Sequence, residues 1–446
     1  MKRLTLAALG VAVALGAAAE GYQVNTLSTK QLGMAHTGAA LHLDAESMYF
    51  NPAGLGFMDR TLDLSASFTP IMATAKATVD GQTYTTDNTA STPLMASAAF
   101  SINRNIKAGI TFYTPYGSSI NWTDNWPGAV LSQNVSLKVY TVQPTVAWRV
   151  LPNLSVGAGL TISWGSVDLN KGLVSASTLD RLTTALGMGA PFGDTTPASL
   201  NLNGSAGLRC GINVGAMWDV TRTVTVGASF RSQVDMKVKA GDASLTYANE
   251  VARQLLGETL DVLDHANFRA EMPAPWVLSL GASWKPVKGL TLALDGRLTG
   301  WNAYKSLDVE FLSEQLTPYN QHLPKNYSNA WAVALGAQYA ATSRLDVRAG
   351  VMVDTTPVNS DHYNPETPGM TKIEPAVGLS FRPIPQLSVD VAFMYVAGCG
   401  KDNASVTYTD LLAASMPQLG LPAEATFTAD YKAHAIIPSI GVSFSF

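Results

Sequence analysis

Apolar residues in this chain recur at every second position over long stretches, yet they almost never run together. In Val224–Val238 one face carries Val224, Val226, Ala228, Phe230, Val234, Met236 and Val238. The opposite face carries Thr225, Gly227, Ser229, Arg231, Gln233, Asp235 and Lys237. Leu208–Trp218, Leu345–Asp354, Leu387–Ala397 and Leu154–Trp164 repeat the pattern. Period-2 alternation fixes a strand with one apolar and one polar face. Only 14% of residues are charged and the mean hydropathy is +0.11. After the first residues, however, no stretch reaches the ~18 consecutive apolar residues of a membrane helix. Strands of about ten residues facing lipid on one side and water on the other reconcile these observations.

The connections between strands separate a membrane barrel from a soluble sandwich. Short turns at Leu151-Pro152-Asn153, Asp219–Arg222, Pro286–Lys288, Thr342-Ser343 and Pro383–Pro385 alternate with long loops, notably 170–206 and 239–274. Short turns at one end and long loops at the other are the arrangement of an outer-membrane β-barrel. Counting pairs predicts about fourteen antiparallel strands, centred near residues 66, 98, 109, 144, 159, 213, 230, 280, 295, 335, 349, 377, 391 and 438. Trp122, Trp126, Trp164, Trp218, Trp284 and Trp301 fall near strand ends, where aromatic girdles are expected.

Residues 1–19 fit a secretory signal: Lys2 and Arg3, an apolar core Leu4–Leu15, and Ala17-Ala18-Ala19 as the cleavage site. The final strand, IGVSFSF, places Ile440, Val442, Phe444 and Phe446 on one face. It resembles the terminal strand by which the barrel-assembly machinery engages bacterial outer-membrane proteins. The expected setting is therefore the outer membrane of a Gram-negative bacterium, among its lipid and lipopolysaccharide. A net charge of −4 offers no basic face for nucleic acid. Cys210 and Cys399 read as two unconnected thiols, and the six histidines show no metal spacing. No cofactor is expected.

Between the leader and the strands lies Gly21–Leu55, GYQVNTLSTKQLGMAHTGAALHLDAESMYFNPAGL, too polar for a membrane helix and too irregular for a strand. Its Gly21-Tyr22-Gln23, Leu32-Gly33-Met34-Ala35, Gly38-Ala39-Ala40, Asp44-Ala45 and Asn51-Pro52-Ala53-Gly54-Leu55 resemble the FadL family of outer-membrane transporters for long-chain fatty acids and hydrophobic compounds. A second block, Tyr113–Trp126, resembles that family's loop after its third strand. The resemblance implies an all-β membrane protein in which residues 20–60 form a hatch inside a barrel of residues 61–446. It implies passive uptake of a hydrophobic small molecule, caught by extracellular loops, bound in a lumenal pocket and released sideways through a gap beside a kinked third strand. Tyr22, Asn51, Pro52 and Ala53 then belong to the pocket and hatch. Gly109, on the matching strand, is the candidate for the kink, since glycine permits a bulge.

In the long loops, Leu179, Leu182 and Leu186 share one helical face, and Val251, Leu255 and Leu256 share another, enough for an apolar capture groove or for a cap over the barrel. Fatty-acid-binding members of the family hold the carboxylate with inward basic side chains, one of them on the fifth strand. Here that strand presents Ser155, Gly157, Gly159, Thr161, Ser163 and Gly165. Inward Arg209, Arg231, Arg297, Arg348 and Arg382 could take the role, or could pair with Asp235, Asp295, Asp346, Asp390 or Glu374 across the lumen. Both a fatty acid and a neutral hydrophobe fit. The competing functions are a general porin and a barrel enzyme. The long non-strand N-terminus opposes an open porin, and no G-x-S-x-G motif supports an enzyme. The expected protein is a monomeric transporter.

Overall fold

A computed structural model of the chain describes residues 21–122, 125–410 and 422–446. The expected signal segment, 1–19, and Glu20 lie outside the described residues. Fourteen antiparallel strands close a barrel. In chain order they are β1 (Leu62–Phe68), β2 (Leu94–Ser101), β3 (Ile106–Asn121), β4 (Asn134–Leu151), β5 (Leu154–Gly172), β6 (Ala198–Asp219) and β7 (Val224–Arg231, resuming at Val234–Tyr247). They continue as β8 (Asn267–Ala274 and Val277–Trp284), β9 (Leu290–Thr299), β10 (Ala330–Ala340), β11 (Leu345–Asp354), β12 (Lys372–Ile384), β13 (Leu387–Gly398) and β14 (Glu424–Ser445). The barrel closes where β1 pairs with β14, Asp63 opposite Ser445 and Phe68 opposite Ile440. All fourteen centres read from the sequence fall within these strands. β5, β6, β7 and β8 run past the expected loop boundaries, so the long connections shorten to 173–197 and 248–266.

The outer wall is apolar because period 2 puts it there. Ile110, Val146, Leu160, Ile212, Leu280, Leu335, Val391 and Ile440 are all exposed, forming the band expected against hydrocarbon. Trp148, Trp218, Trp284, Tyr339 and Phe381 stand exposed at the short-turn end as one girdle. Three of the six tryptophans expected in girdles are elsewhere. Trp122, Trp126 and Trp301 are almost fully buried, because the strands at the loop end carry a second, interior apolar core. Trp122 and Trp126 stack there at 4.3 Å, and their indole N–H groups donate to Pro365 O and Ser132 O.

That interior core arises from inversions of the pleat. Val224–Val238 is not one strand, as its alternation implied. The ladder breaks at Ser232-Gln233, after which Val234, Met236 and Val238 face inward while Phe230, of the same parity, faces out. β3 inverts around Pro115: Thr111 and Tyr113 are buried below, Tyr116 and Ile120 above. β6 inverts at Gly207-Leu208 and β8 at Pro275-Trp276. An extra residue in one strand exchanges the two faces of everything beyond it. β4 reaches the same end without inverting, since its inward face changes from Thr141, Gln143 and Thr145 to Val135, Leu137 and Val139.

Candidate functional site

Residues 21–58 lie inside the barrel, with two one-turn helices, α1 (Thr29–Leu32) and α2 (Ser47–Phe50), and a 3-10 turn, Pro52–Phe57. This lumenal segment is nearly all buried. It sits against wall strands whose inward positions are glycine. A Cβ on Gly227 would stand 1.9 Å from Ala39 O, and one on Gly157 would stand 2.4 Å from the Pro52 carbonyl carbon. Gly215, Gly281, Gly336 and Gly350 meet the segment in the same way. Only a missing side chain allows backbone to approach so closely.

Polar anchors complete the seat. Asp295 Oδ2 accepts from Gly38 N at 2.6 Å and Ala39 N at 2.8 Å. Helix α2 ends with carbonyls that have no intrahelical donor. The wall supplies donors: Gln143 Nε2 and Asn213 Nδ2 to Met48 O at 2.6 and 3.1 Å, Arg231 Nη2 to Tyr49 O at 3.1 Å, and Ser229 Oγ to Phe50 O at 2.8 Å. Asn51 Nδ2 donates to Ala39 O at 2.7 Å and Ala216 O at 3.1 Å, while its Oδ1 caps the following turn at Ala53 N. Asn51-Pro52-Ala53 thus joins the segment to itself and to the wall rather than lining an apolar cavity. His36 is buried in this segment, 3.9 Å from Glu374. Burial, reinforced by Arg297 and Lys372, holds its imidazole well below the usual range.

Above the segment, the inverted strands leave a small apolar chamber of about 40 Å³ lined by Val139, Leu202, Met236, Val238, Phe268 and Val309 among others. Tyr22 borders this core. It meets Tyr116, Trp301 and Tyr304 edge-on at 6.2, 4.8 and 5.8 Å, and its hydroxyl donates to Pro273 O. A smaller cavity lined by Tyr113, Met236, Val139 and Arg231 lies alongside the chamber. Arg231 stacks over Tyr49 at 4.2 Å and has no carboxylate within ion-pair distance among the described residues. Arg348, by contrast, lies 3.8 Å from Asp346 and donates to Gln338 and Ser380. It is a wall-network residue. Arg209 and Arg297 each retain a buried nitrogen without a partner.

The wall is interrupted beside β3. Gly109 is in register with Ala99 on one side and Thr145 on the other, so the expected kink is not there. Its missing side chain instead admits Met48, whose sulfur would lie 2.7 Å from a Cβ. The irregularity comes six residues later, where Tyr113 pairs with Thr141 but Tyr116 with Val139, bulging the strand at Thr114-Pro115. β2 ends at Leu94, so the upper edge of β3 loses its neighbour. The lumenal segment takes that edge: Val24 N donates to Pro115 O and Gly117 N to Tyr22 O, both at 2.8 Å. A cavity of about 600 Å³ opens beside this junction, lined by Val24, Thr26, Ser91, Leu94, Tyr116 and Ser118 among others.

At the loop end, helices α3 (Ala176–Ala185) and α4 (Glu250–Leu260) form close to where their periodicity placed them. Leu179 and Leu256 are buried, and Leu182, Val251 and Leu255 pack against the same core. These faces therefore serve as the underside of a cap, not as an open groove. Leu186 lies past the end of α3 and is exposed.

Comparison with known proteins agrees with this architecture. The chain is 24% identical over 433 residues to outer membrane protein P1 of Haemophilus influenzae, covering 89% of this chain and 91% of the relative. It is 23% identical over 419 residues to the long-chain fatty acid transport protein of Escherichia coli strain K12, covering 88% and 92%. Among solved structures, a Pseudomonas aeruginosa FadL homologue superposes with a TM-score of 0.77 at 20% identity, covering 96% of this chain and 100% of that one. The Ralstonia pickettii toluene transporter TbuX superposes with a TM-score of 0.66 at 17% identity, covering 96% and 99%. The family model for outer membrane protein transport proteins (OMPP1/FadL/TodX) matches residues 10–446, so the chain is an outer-membrane β-barrel of this transporter family.

Proposed function

We propose that the protein carries a hydrophobic small molecule passively from the extracellular loops into the apolar chamber, then sideways into the membrane at the β3 gap. Residues 21–58 act as the hatch that closes the lumen below the chamber. The observation that carries this reading is the pleat inversion, which turns the apolar faces of β3, β6, β7 and β8 inward only at the loop end. An aqueous pore gains nothing from such a lining. An apolar ligand gains about 0.8 kcal/mol per buried methylene and regains it on leaving into lipid. The relatives named for fatty acid and for toluene mark the two candidate ligand classes. Arg231 is the group best placed to meet a carboxylate, with Arg209 and Arg297 as further cations.

Uptake of labelled oleate and of labelled toluene by cells expressing the protein tests the reading. Ala206→Trp should fill the chamber, and Ser118→Trp should obstruct the cavity beside β3. Each is expected to abolish uptake of the transported ligand while the barrel still inserts. Unimpaired uptake by both variants would overturn the route.

A further inference from the structure

A second discontinuity in the wall lies between β6 and β7. Below it, Asn213 pairs with Arg231, and Ser232 N donates to Ile212 O at 2.9 Å. Above it, pairing resumes at Val238 opposite Ala206. Gly207–Gly211 and Gln233–Lys237 therefore face each other without a ladder. The cause is local: β7 inverts at Ser232-Gln233 but β6 only further up, at Gly207-Leu208, so between the two breaks the inward Val234 and Met236 stand level with the outward Cys210 and Leu208, and the pleats are out of phase. On the other side of β6 the same bulge costs a single residue, since Ser163 pairs with Arg209 and Gly165 with Ala206.

The two sides of this seam differ in chemistry. Inside, Val234, Met236 and Val238 are buried, and Met236 and Val238 line the apolar chamber. Outside, Leu208 is 69% exposed and Cys210 is exposed. Just below stand Phe230 and Trp276, rings 6.3 Å apart, aromatic residues of the kind that mark the membrane boundary. The seam thus opens at headgroup level, where water can satisfy backbone groups that hydrocarbon could not. Its covering on the inner side is side chain alone: a Cβ on Gly211 would stand 2.7 Å from Val234 Cγ2.

We propose that this seam is a second lateral portal, through which an apolar ligand dissolved in the outer leaflet enters the chamber without crossing the extracellular cap. This inference rests on the transport reading above and adds an entrance to it. With both native thiols removed (Cys210→Ser, Cys399→Ser), the pair Gly211→Cys and Val234→Cys should form a disulfide across the seam. Oxidation is expected to slow uptake of membrane-partitioned hydrocarbon roughly fivefold or more, as when a gating step is locked, and dithiothreitol should restore it. Equal uptake by oxidised and reduced forms would overturn the portal while leaving transport standing. Absence of uptake by the unsubstituted protein would overturn transport itself. If the double variant does not insert, Met236→Cys in the same background should react with a maleimide tethered to a phospholipid, whereas Met217→Cys, buried against the lumenal segment, should not. An unreactive Met236→Cys also overturns the portal.

Discussion

Asp295 should govern how firmly the hatch is seated. The carboxylate is 8% exposed, projects from β9, and accepts two backbone N–H groups from Gly38 and Ala39 at 2.6 and 2.8 Å. In Asp295→Ala both donors lose their partner inside a segment that has little other freedom to move. Hydrogen bonds to a charged group contribute about 1.5–3 kcal/mol each, so two amount to about 3–6 kcal/mol. Relieving the desolvation of a buried carboxylate returns part of this, leaving a net loss of roughly 2 kcal/mol. Every 1.4 kcal/mol is about tenfold, so the displaced hatch should be populated roughly thirtyfold more. Single-channel recording in planar bilayers should show frequent large openings that are rare in the unsubstituted protein. Asp295→Asn, which keeps one acceptor, should fall between them. Asp308→Ala removes an exposed carboxylate paired with His322 outside the hatch and should change nothing. Unaltered conductance in Asp295→Ala, with amide exchange at Gly38 and Ala39 still slow, would refute the reasoning.

Further outcomes follow from the same geometry. Arg231→Gln should weaken binding of a long-chain fatty acid about tenfold, the loss of one charge-assisted contact, and leave a neutral hydrocarbon unaffected; equal effects on both ligands in a fluorescence displacement assay would remove Arg231 from headgroup recognition. Met236→Asp should abolish binding of either ligand, because an unpaired carboxylate in the chamber costs several kcal/mol, and retained affinity by calorimetry would contradict an apolar site. His36 is held neutral in the folded protein, whereas an unfolded imidazole titrates near about 6.5. Its contribution is therefore complete above that pH and is lost as pH falls below it, so hatch openings should increase between roughly pH 6.5 and 5. His36→Asn should flatten that part of the profile, and an unchanged acid response would assign it to other groups.

Most of the barrel was legible because alternation and turn spacing are local properties. The strand centres required nothing more, and the outward Trp218 and Trp284 followed from position. Function-bearing details were hidden where a local rule was satisfied by the wrong partner. Gly109 is an ordinary strand glycine by pattern, and only the neighbouring Met48, far away in sequence, explains it. Arg231 could have been a ligand group or an ion-pair partner. Its bond to Tyr49 O comes from how α2 sits against β7, which no spacing encodes. The leucines of α3 and α4 were recognisable as amphipathic, but a single helix does not reveal what its apolar face will cover.

The pleat inversions were the hardest feature to read, and the proposed transport route rests on them. In Val224–Val238 the even positions are apolar on both sides of Ser232-Gln233, so the pattern resumes in the same parity although the chain has turned over. Below the break, apolar residues must face lipid and the glycines must face the hatch. Above it, Val234, Met236 and Val238 turn inward and join the interior apolar core. A strand that kept its pleat would have to exchange the composition of its faces at that height, as β4 does by replacing Thr141 and Gln143 with Leu137 and Val139. A strand that inverts keeps its composition and changes its geometry instead. The hint available beforehand was the break chemistry itself: Pro115 in β3, Gly207 in β6, Ser232-Gln233 in β7 and Pro275 in β8 interrupt otherwise clean alternation. Proline removes a ladder donor and glycine tolerates the bulge, so such residues between two apolar stretches of equal parity mark where a barrel strand can change the solvent it faces.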